Sequence, residues 1–251
     1  FMPARPAFSL RPGAPDFLDL PWSVPLLEWP HYTSRLEEVA RGLSRHAVQF
    51  VNYEGRLYAI KELPPGLAQK EFASLSQIEN LRLPAVTPVG YVYDDPQDPV
   101  PRNFGCSYLI TRFLDRSLPY RSLFAQADLE RYREHLLDAM AGLLVQLHLA
   151  GVFWGDCSLS NTLFRRDAGT LQAYLVDAET AEIYPSRLSP VLRQQDLQIM
   201  EEEVDGDLND LVASGLLTPK YPVLETGLYI QQRYNRLWEE ITRELIIPQN
   251  E

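Results

Sequence analysis

Four features of the chain carry residue types that can do chemistry, and they occur in a fixed order. The first is Tyr58-Ala-Ile-Lys61, an apolar run ending in a lysine. The second is Glu71, ten residues later in a segment with helical periodicity. The third is Gly155-Asp-Cys-Ser-Leu-Ser-Asn161, in which Asp156 and Asn161 stand five apart. The fourth is Leu175-Val-Asp177-Ala-Glu179, where a carboxylate follows a short apolar run. Taken singly, each has an ordinary reading: an exposed lysine, a glutamate on the outer face of a helix, an aspartate capping a loop. Together they supply a cation, several carboxylates and a carboxamide, groups that hold anions and hard cations and accept protons. Their shared order is less expected by chance than any one of them.

In this order the residues resemble the signature set of a kinase-fold phosphotransferase: a lysine in V-A-I-K, a glutamate in the next helix, D-x-x-x-x-N, and an Asp after a short strand. YAIK matches three of four positions, with Tyr58 in place of Val, and Asp156-x-x-x-x-Asn161 matches fully. H-R-D is replaced by Trp154-Gly155-Asp156 and D-F-G by Asp177-Ala178-Glu179. These departures are more similar to the aminoglycoside/choline kinase and lipopolysaccharide (Kdo/heptose) kinase branches than to eukaryotic-type protein kinases. The block KEFASLSQIENLRLPAVTPVGYVY also resembles their helix-then-strand segment and favours Glu71 over Glu79 as the partner of Lys61. The resemblance covers about residues 42–185.

What the resemblance implies is an α+β, two-lobed fold with a strand-rich amino lobe and a helical carboxyl lobe, using ATP and Mg²⁺. Phosphoryl transfer asks for positioning and charge neutralisation. Lys61 would meet the α/β-phosphates, with Glu71 holding it. Asn161 and Asp177 would be hard oxygen ligands for Mg²⁺, with Glu179 a further one. Asp156 would orient the acceptor hydroxyl and take its proton. Val48 and Ala59 would form the roof of an apolar slot for the base, and Leu163 and Val176 its floor. The connector Thr111-Arg112-Phe113-Leu114 would offer backbone hydrogen bonds to adenine. Without the resemblance, each of these is more often plain core.

One further departure bears on how phosphate would be held. No G-x-G-x-x-G precedes the first strand, and Gly42-Leu-Ser-Arg-His46 is the only candidate for a phosphate cradle. There, backbone N–H groups and Ser44 would meet phosphate, with Arg45 or His46 adding charge. The alternative is a turn that ends a helix on an αL glycine. The missing glycines favour a nucleotide-binding pseudokinase acting as a regulatory or scaffold module, whereas the full set of charged residues favours an active kinase. AMP transfer on the same fold is a third reading. The acceptor is a hydroxyl of a small molecule, a sugar or a protein Ser/Thr.

The elements that must position these residues follow from periodicity. Residues 1–31 hold seven prolines and read as an extended arm, docked through Phe17, Leu18, Trp22 and Trp29. Ser34-Arg-Leu-Glu37 has capping-box spacing and predicts a short helix to about Ala40. His46–Tyr53 and Arg56–Leu63 read as a hairpin about Glu54-Gly55. Leu67–Leu81 reads as a helix, Val86–Tyr93 and Ser107–Phe113 as strands, with the loop DDPQDPVPRN between them. Asp128–Leu149 is a helix with Leu136, Leu137, Met140, Leu143, Leu144 and Leu147 inward. Gly151–Phe164 reads as a mixed loop and Ala173–Val176 as a short strand, and Val191–Ile247 reads as helices broken by TPKYP at 218–222. The expected division is an arm at 1–41, an amino lobe at 42–114 and a carboxyl lobe at 115–251.

Other conspicuous residues have plainer readings. Cys157 beside Asp156 is a packing residue, His148 a structural hydrogen-bonder, and Glu201–Glu203 with Asp205 and Asp207 a solvated acidic face. Asp196 is an anchor for the backbone of the catalytic loop. Composition bounds the rest. The 251 residues carry 23 − 34 = −11 charges, so no global field draws in a nucleic-acid backbone or an anionic membrane. Cys106 and Cys157 fit no metal spacing and no disulfide framework. Leu136–Trp154, the richest apolar run, is interrupted by Asp138, Gln146 and His148 and reads as a core helix. No secretory signal is expected at the amino terminus, and a cytoplasmic protein with reduced thiols is the expectation.

Overall fold

The computed structural model describes residues 6–39, 45–93, 105–125 and 129–244. Ala40, the proposed cradle residues Gly42 to Ser44, and the loop at 94–103 lie outside the described residues. The chain forms two compact units, Phe1–Asn80 with Ala85–Asp115, and Leu81–Pro84 with Arg116–Glu251. The class is α+β.

The first unit is built on a five-stranded antiparallel sheet. Its strands are β1 (Ala7–Leu10), β2 (Val48–Tyr53), β3 (Arg56–Leu63), β4 (Thr87–Tyr93) and β5 (Ser107–Arg112), in the order β1-β4-β5-β3-β2. Glu54 and Gly55 both have positive φ, 54° and 79°. That is the backbone twist of a two-residue hairpin, and glycine meets it without strain. Side chains alternate in β3: Tyr58 and Ile60 are buried on one face, while Ala59 and Lys61 point to the other. The register places Val48 opposite Lys61, and Phe50 opposite Ala59, on that second face.

The proline-rich amino-terminal segment closes the first face. Phe17, Leu20, Trp22, Leu26 and Trp29 pack with Val51, Tyr58, Ile60, Tyr108 and Ile110 in one core. Trp22 meets both Trp29 and Tyr108 edge-on, at 5.1 and 5.3 Å. Each indole N–H finds a backbone carbonyl, Trp22 to Phe17 O and Trp29 to Val24 O. Of the four residues expected to dock, Leu18 is instead 47% exposed. The segment is also more than an extended arm. It contributes β1, paired with β4, and a 3-10 turn at Leu26–His31.

The helix expected at Ser34–Ala40 does not form in its described part. Leu36 bridges Val51 antiparallel, Glu37 N donates to Phe50 O at 3.0 Å, and Asn52 N donates to Arg35 O at 2.8 Å. The open edge of β2 supplies backbone partners, and Glu37 accepts from the Asn52 side chain. Arg35 lies 4.0 Å over the Tyr53 ring and pairs with Asp19 at 2.5 Å. Sheet pairing outweighs a capping-box spacing here.

Helix α1 (Leu67–Asn80) buries Ala68, Glu71, Leu75 and Ile78 as one stripe. In the second unit, β6 (Leu118–Pro119) leads into α2 (Tyr120–Phe124) and the long α3 (Leu129–Leu149). All six apolar residues expected on the inner face of α3 are buried. After β7 (Val152–Phe153) come β8 (Thr162–Asp167) and β9 (Thr170–Leu175), a hairpin turning on Ala168 and Gly169. The mixed loop expected at Gly151–Phe164 therefore contains β7 and the start of β8. A two-residue β10 (Glu182–Ile183) pairs with β7, and α4 (Pro190–Ala213) and α5 (Val223–Glu244) complete the unit. No helix of the described residues is long and apolar enough to cross a membrane.

Candidate active site

In the first unit Lys61 and Glu71 meet. The Lys61 ammonium lies 3.1 Å from Glu71 Oε2, with the Lys61 side chain 12% exposed and that of Glu71 fully buried. Glu79 is occupied elsewhere, in a 2.5 Å pair with Arg11. A carboxylate inside the apolar stripe of α1 is costly unless a cation balances it, and β3 delivers that cation from the facing sheet. Val48 and Ala59, half-buried, share the Lys61 face.

The connector behaves differently from its expectation at one atom. Phe113 N donates to Leu57 O at 2.9 Å, so that amide closes the sheet and is not the donor for a base. The Phe113 ring packs edge-on against Phe50 at 5.6 Å. Arg112 is exposed at the end of β5, paired with Tyr58 on one side and Thr87 on the other. Ser44 is outside the described residues.

In the second unit the segment from Trp154 to Asn161 is tied down along its length. Asp196 on α4 accepts from Trp154 N through Oδ2 and from Gly155 N through Oδ1, both at 2.8 Å. This is the backbone anchor expected of Asp196. Asp196 Oδ2 also lies 2.9 Å from His148 Nε2, and His148 Nδ1 lies 2.8 Å from the Tyr234 hydroxyl. A carboxylate only accepts, so in the neutral ring Nε2 carries the hydrogen and Nδ1 accepts from Tyr234. Burial raises the Tyr234 phenol to about 12, which keeps it a donor. Three helices thus meet in one buried polar chain ending on the loop.

Gly155 needs to be glycine. Its φ is +77°, and a Cβ there would come within 3.1 Å of the Phe153 ring and 3.3 Å of Thr180. Cys157 is buried and donates to Asp196 O at 3.0 Å. Burial, reinforced by Asp196, pushes its thiol well up, so it packs and does not attack.

Asn161 and Asp177 are placed by the β8–β9 hairpin. Val176 N donates to Asn161 O at 3.0 Å, extending the ladder one step beyond Thr162 and Leu175. Asn161 Nδ2 donates to Asp156 O at 3.1 Å, which holds its carboxamide against the backbone of the loop. Asp177 Oδ1 accepts from Glu179 N at 3.0 Å. Carboxylate oxygens of Asp177 and Glu179 lie within 4.8 Å of each other. An amide oxygen and two carboxylates are the hard, anionic donor set that Mg²⁺ takes. Leu163 on β8, half-buried, pairs with Tyr174 and Pro119, and Val176 is half-buried beside Asp177.

The parts played by three residues of this arrangement went unread in the sequence. The Trp154 indole donates to Asp177 O at 2.8 Å, and Thr180 Oγ1 donates to Trp154 O at 2.8 Å. Asp207, expected on a solvated acidic face, instead accepts from Ser160 N at 2.9 Å. The signal was its spacing, eleven residues or about three helical turns after Asp196 on one helix face.

The similarities to known proteins agree with this geometry. Residues 54–211 match the model of the lipopolysaccharide kinase (Kdo/WaaP) family. Among solved structures, one described as WaaP in complex with acyl carrier protein is similar at a TM-score of 0.53 and 19% identity, over 94% of this chain and 92% of that one. An aminoglycoside-3'-phosphotransferase of type VIII is similar at 0.52 and 14% identity, over 84% of this chain and 89% of that one. No curated protein matches in sequence. The fold is that of protein-kinase-like phosphotransferases, and because the family model spans well over half of the sequence, the chain belongs to the lipopolysaccharide kinase (Kdo/WaaP) family.

Proposed function

We propose that this protein is an ATP- and Mg²⁺-dependent kinase that transfers the γ-phosphate to a hydroxyl, with a sugar hydroxyl as the acceptor type the family description implies. The observation that carries this reading is the pair of Lys61 and the fully buried Glu71. A buried pair is a poor way to gain stability, since desolvation offsets most of the attraction. It is a good way to hold an ammonium group in one place, ready for a polyphosphate.

The chemistry divides among the chain's own residues. Lys61 holds the α/β-phosphates, and its position is set by Glu71. Asn161, Asp177 and Glu179 would hold Mg²⁺, which when bound neutralises charge on the phosphates. Asp156, following the anchored Gly155, orients the acceptor hydroxyl. As the acceptor oxygen bonds to the γ-phosphorus and the bond to ADP breaks, Asp156 takes the hydroxyl proton. Transfer needs positioning more than a strong base, so an ordinary carboxylate serves.

ATP labelled at the γ- or the α-phosphate, incubated with Mg²⁺ and a panel of sugar, lipopolysaccharide-core and protein acceptors, tests the reading. Label transferred only from the γ position is the expected result. Transfer only from the α position would establish AMP transfer instead. No transfer, together with nucleotide binding, would establish the pseudokinase.

A further inference from the structure

We propose that Asp207 is a second positioning residue for the catalytic loop, fixing the end of the loop that carries Asn161 as Asp196 fixes the end that carries Asp156. The effect on catalysis rests on the kinase reading above; the tether itself does not.

The two anchors are built alike. Asp196 and Asp207 stand on the same helix, α4, eleven residues apart. Eleven residues are about three turns, so both project from nearly one face, roughly 16 Å apart along the axis. Asp196 accepts from Gly155 N, the amide just before Asp156. Asp207 accepts from Ser160 N, the amide just before Asn161. Each proposed functional side chain therefore follows directly on an amide held by a carboxylate of α4. A helix buried along Leu197, Met200, Val204, Leu208 and Leu211 has little freedom to bend, so it sets the separation of the two ends of the loop.

The interior of the loop depends on the second tether. Asn161 N donates to Ser158 Oγ at 3.1 Å, and the Ser158 and Ser160 hydroxyls lie 2.9 Å apart. These are short-range bonds among neighbours, and they fix the turn without fixing its place in the unit. The bond from Ser160 N to Asp207 ties that turn to α4 across 47 residues of sequence, beside the ladder bond from Val176 N to Asn161 O. A displacement of about 1 Å in a catalytic group costs on the order of 10²-fold in rate.

The test compares Asp207→Leu, which cannot accept a hydrogen bond, with Asp207→Asn, whose amide oxygen can. Asp210→Asn, at an exposed position on the same helix, is the control. Hydrogen exchange of the peptides covering Ser160 and covering Trp154–Gly155 is measured alongside γ-phosphate transfer. In Asp207→Leu, Ser160 should exchange faster while Trp154–Gly155 stays protected. Its kcat should fall tenfold or more with KM for ATP within about twofold, and Asp207→Asn should recover most of both. Unchanged exchange at Ser160 would overturn the proposal, as would equal loss in the Asn and Leu variants. Loosening of both peptides together would show a general packing role and also overturn it. If the wild-type protein transfers no phosphate, the kinase reading fails separately and the exchange data alone decide the tether.

Discussion

The indole N–H of Trp154 donates to the backbone carbonyl of Asp177 at 2.8 Å, while Trp154's own amide is held by Asp196. One buried side chain thus joins the segment carrying Asp156 to the segment carrying Asp177 and Glu179. Thr180 closes the link from the other side by donating to Trp154 O. The aromatic residue standing where the resemblance expects histidine works as a brace between the two acidic segments.

Trp154→Phe keeps most of the packing and removes the indole donor. A lost hydrogen bond of this kind costs about 1 kcal/mol net, and more where the acceptor is left dry. The expected outcome is a modest fall in melting temperature and a higher Mg²⁺ requirement in the transfer assay, because Asp177 is less firmly placed. A Mg²⁺ titration of wild type and variant checks this.

Lys61→Met removes the cation beside Glu71. Breaking a buried pair from one side typically costs about 3–5 kcal/mol. The variant should therefore lose stability as well as activity. The double variant Lys61→Met/Glu71→Met should regain stability without regaining activity. Urea unfolding of the three proteins measures it, and a double variant as unstable as the single one would count against a balanced pair.

Burial, with a smaller push from Glu203, raises the Asp207 carboxyl from 3.8 to about 6. The folded state therefore holds this proton more tightly than the unfolded chain does. Its contribution to stability is full below pH 3.8 and is lost as the pH rises through 6. Asp207→Asn removes that dependence. Relative to wild type, it should gain on the order of 3 kcal/mol between pH 4 and pH 8. Denaturant unfolding across that range reads the sign directly.

Asp177→Ala and Asp156→Asn should separate binding from turnover. The first removes a hard ligand and should weaken Mg²⁺-dependent nucleotide binding. The second keeps the loop's shape and should leave ATP affinity near normal while lowering transfer by about 10²–10⁴-fold. Calorimetric titration with ATP and Mg²⁺, set beside γ-phosphate transfer, distinguishes them.

The residue types of the site were legible in the sequence; the amides they hold were not. Glu71 was legible through the resemblance, whose helix-then-strand block favoured it over Glu79, and the sheet supplied its partner. Asp196 was legible by its place in the helix after the loop. Asp207 was not, since a run of acids does not say which one turns inward. The failed helix at Ser34 shows the same limit: its local spacing was sound, and the edge of β2 decided otherwise. Strand β8 was hidden by Arg165, Arg166 and Asp167, which look like loop residues. Arg165 lies 4.8 Å over the Tyr174 ring and pairs with Asp167, so its charge is compatible with a strand.

The amino-terminal segment that closes the back of the sheet imposes an order on biosynthesis. Phe17, Trp22 and Trp29 leave the ribosome before any strand they cover, and β1 waits for β4, whose partner residues begin at Gly90. At about 5–20 residues per second, the nascent chain carries these aromatics for several seconds before Ile110 emerges to complete their pocket. During that interval the segment is a sticky ligand without its receptor, open to trigger-type chaperones and to neighbouring chains on the same message. Slowing translation between Trp29 and Ile110 should therefore raise the aggregated fraction.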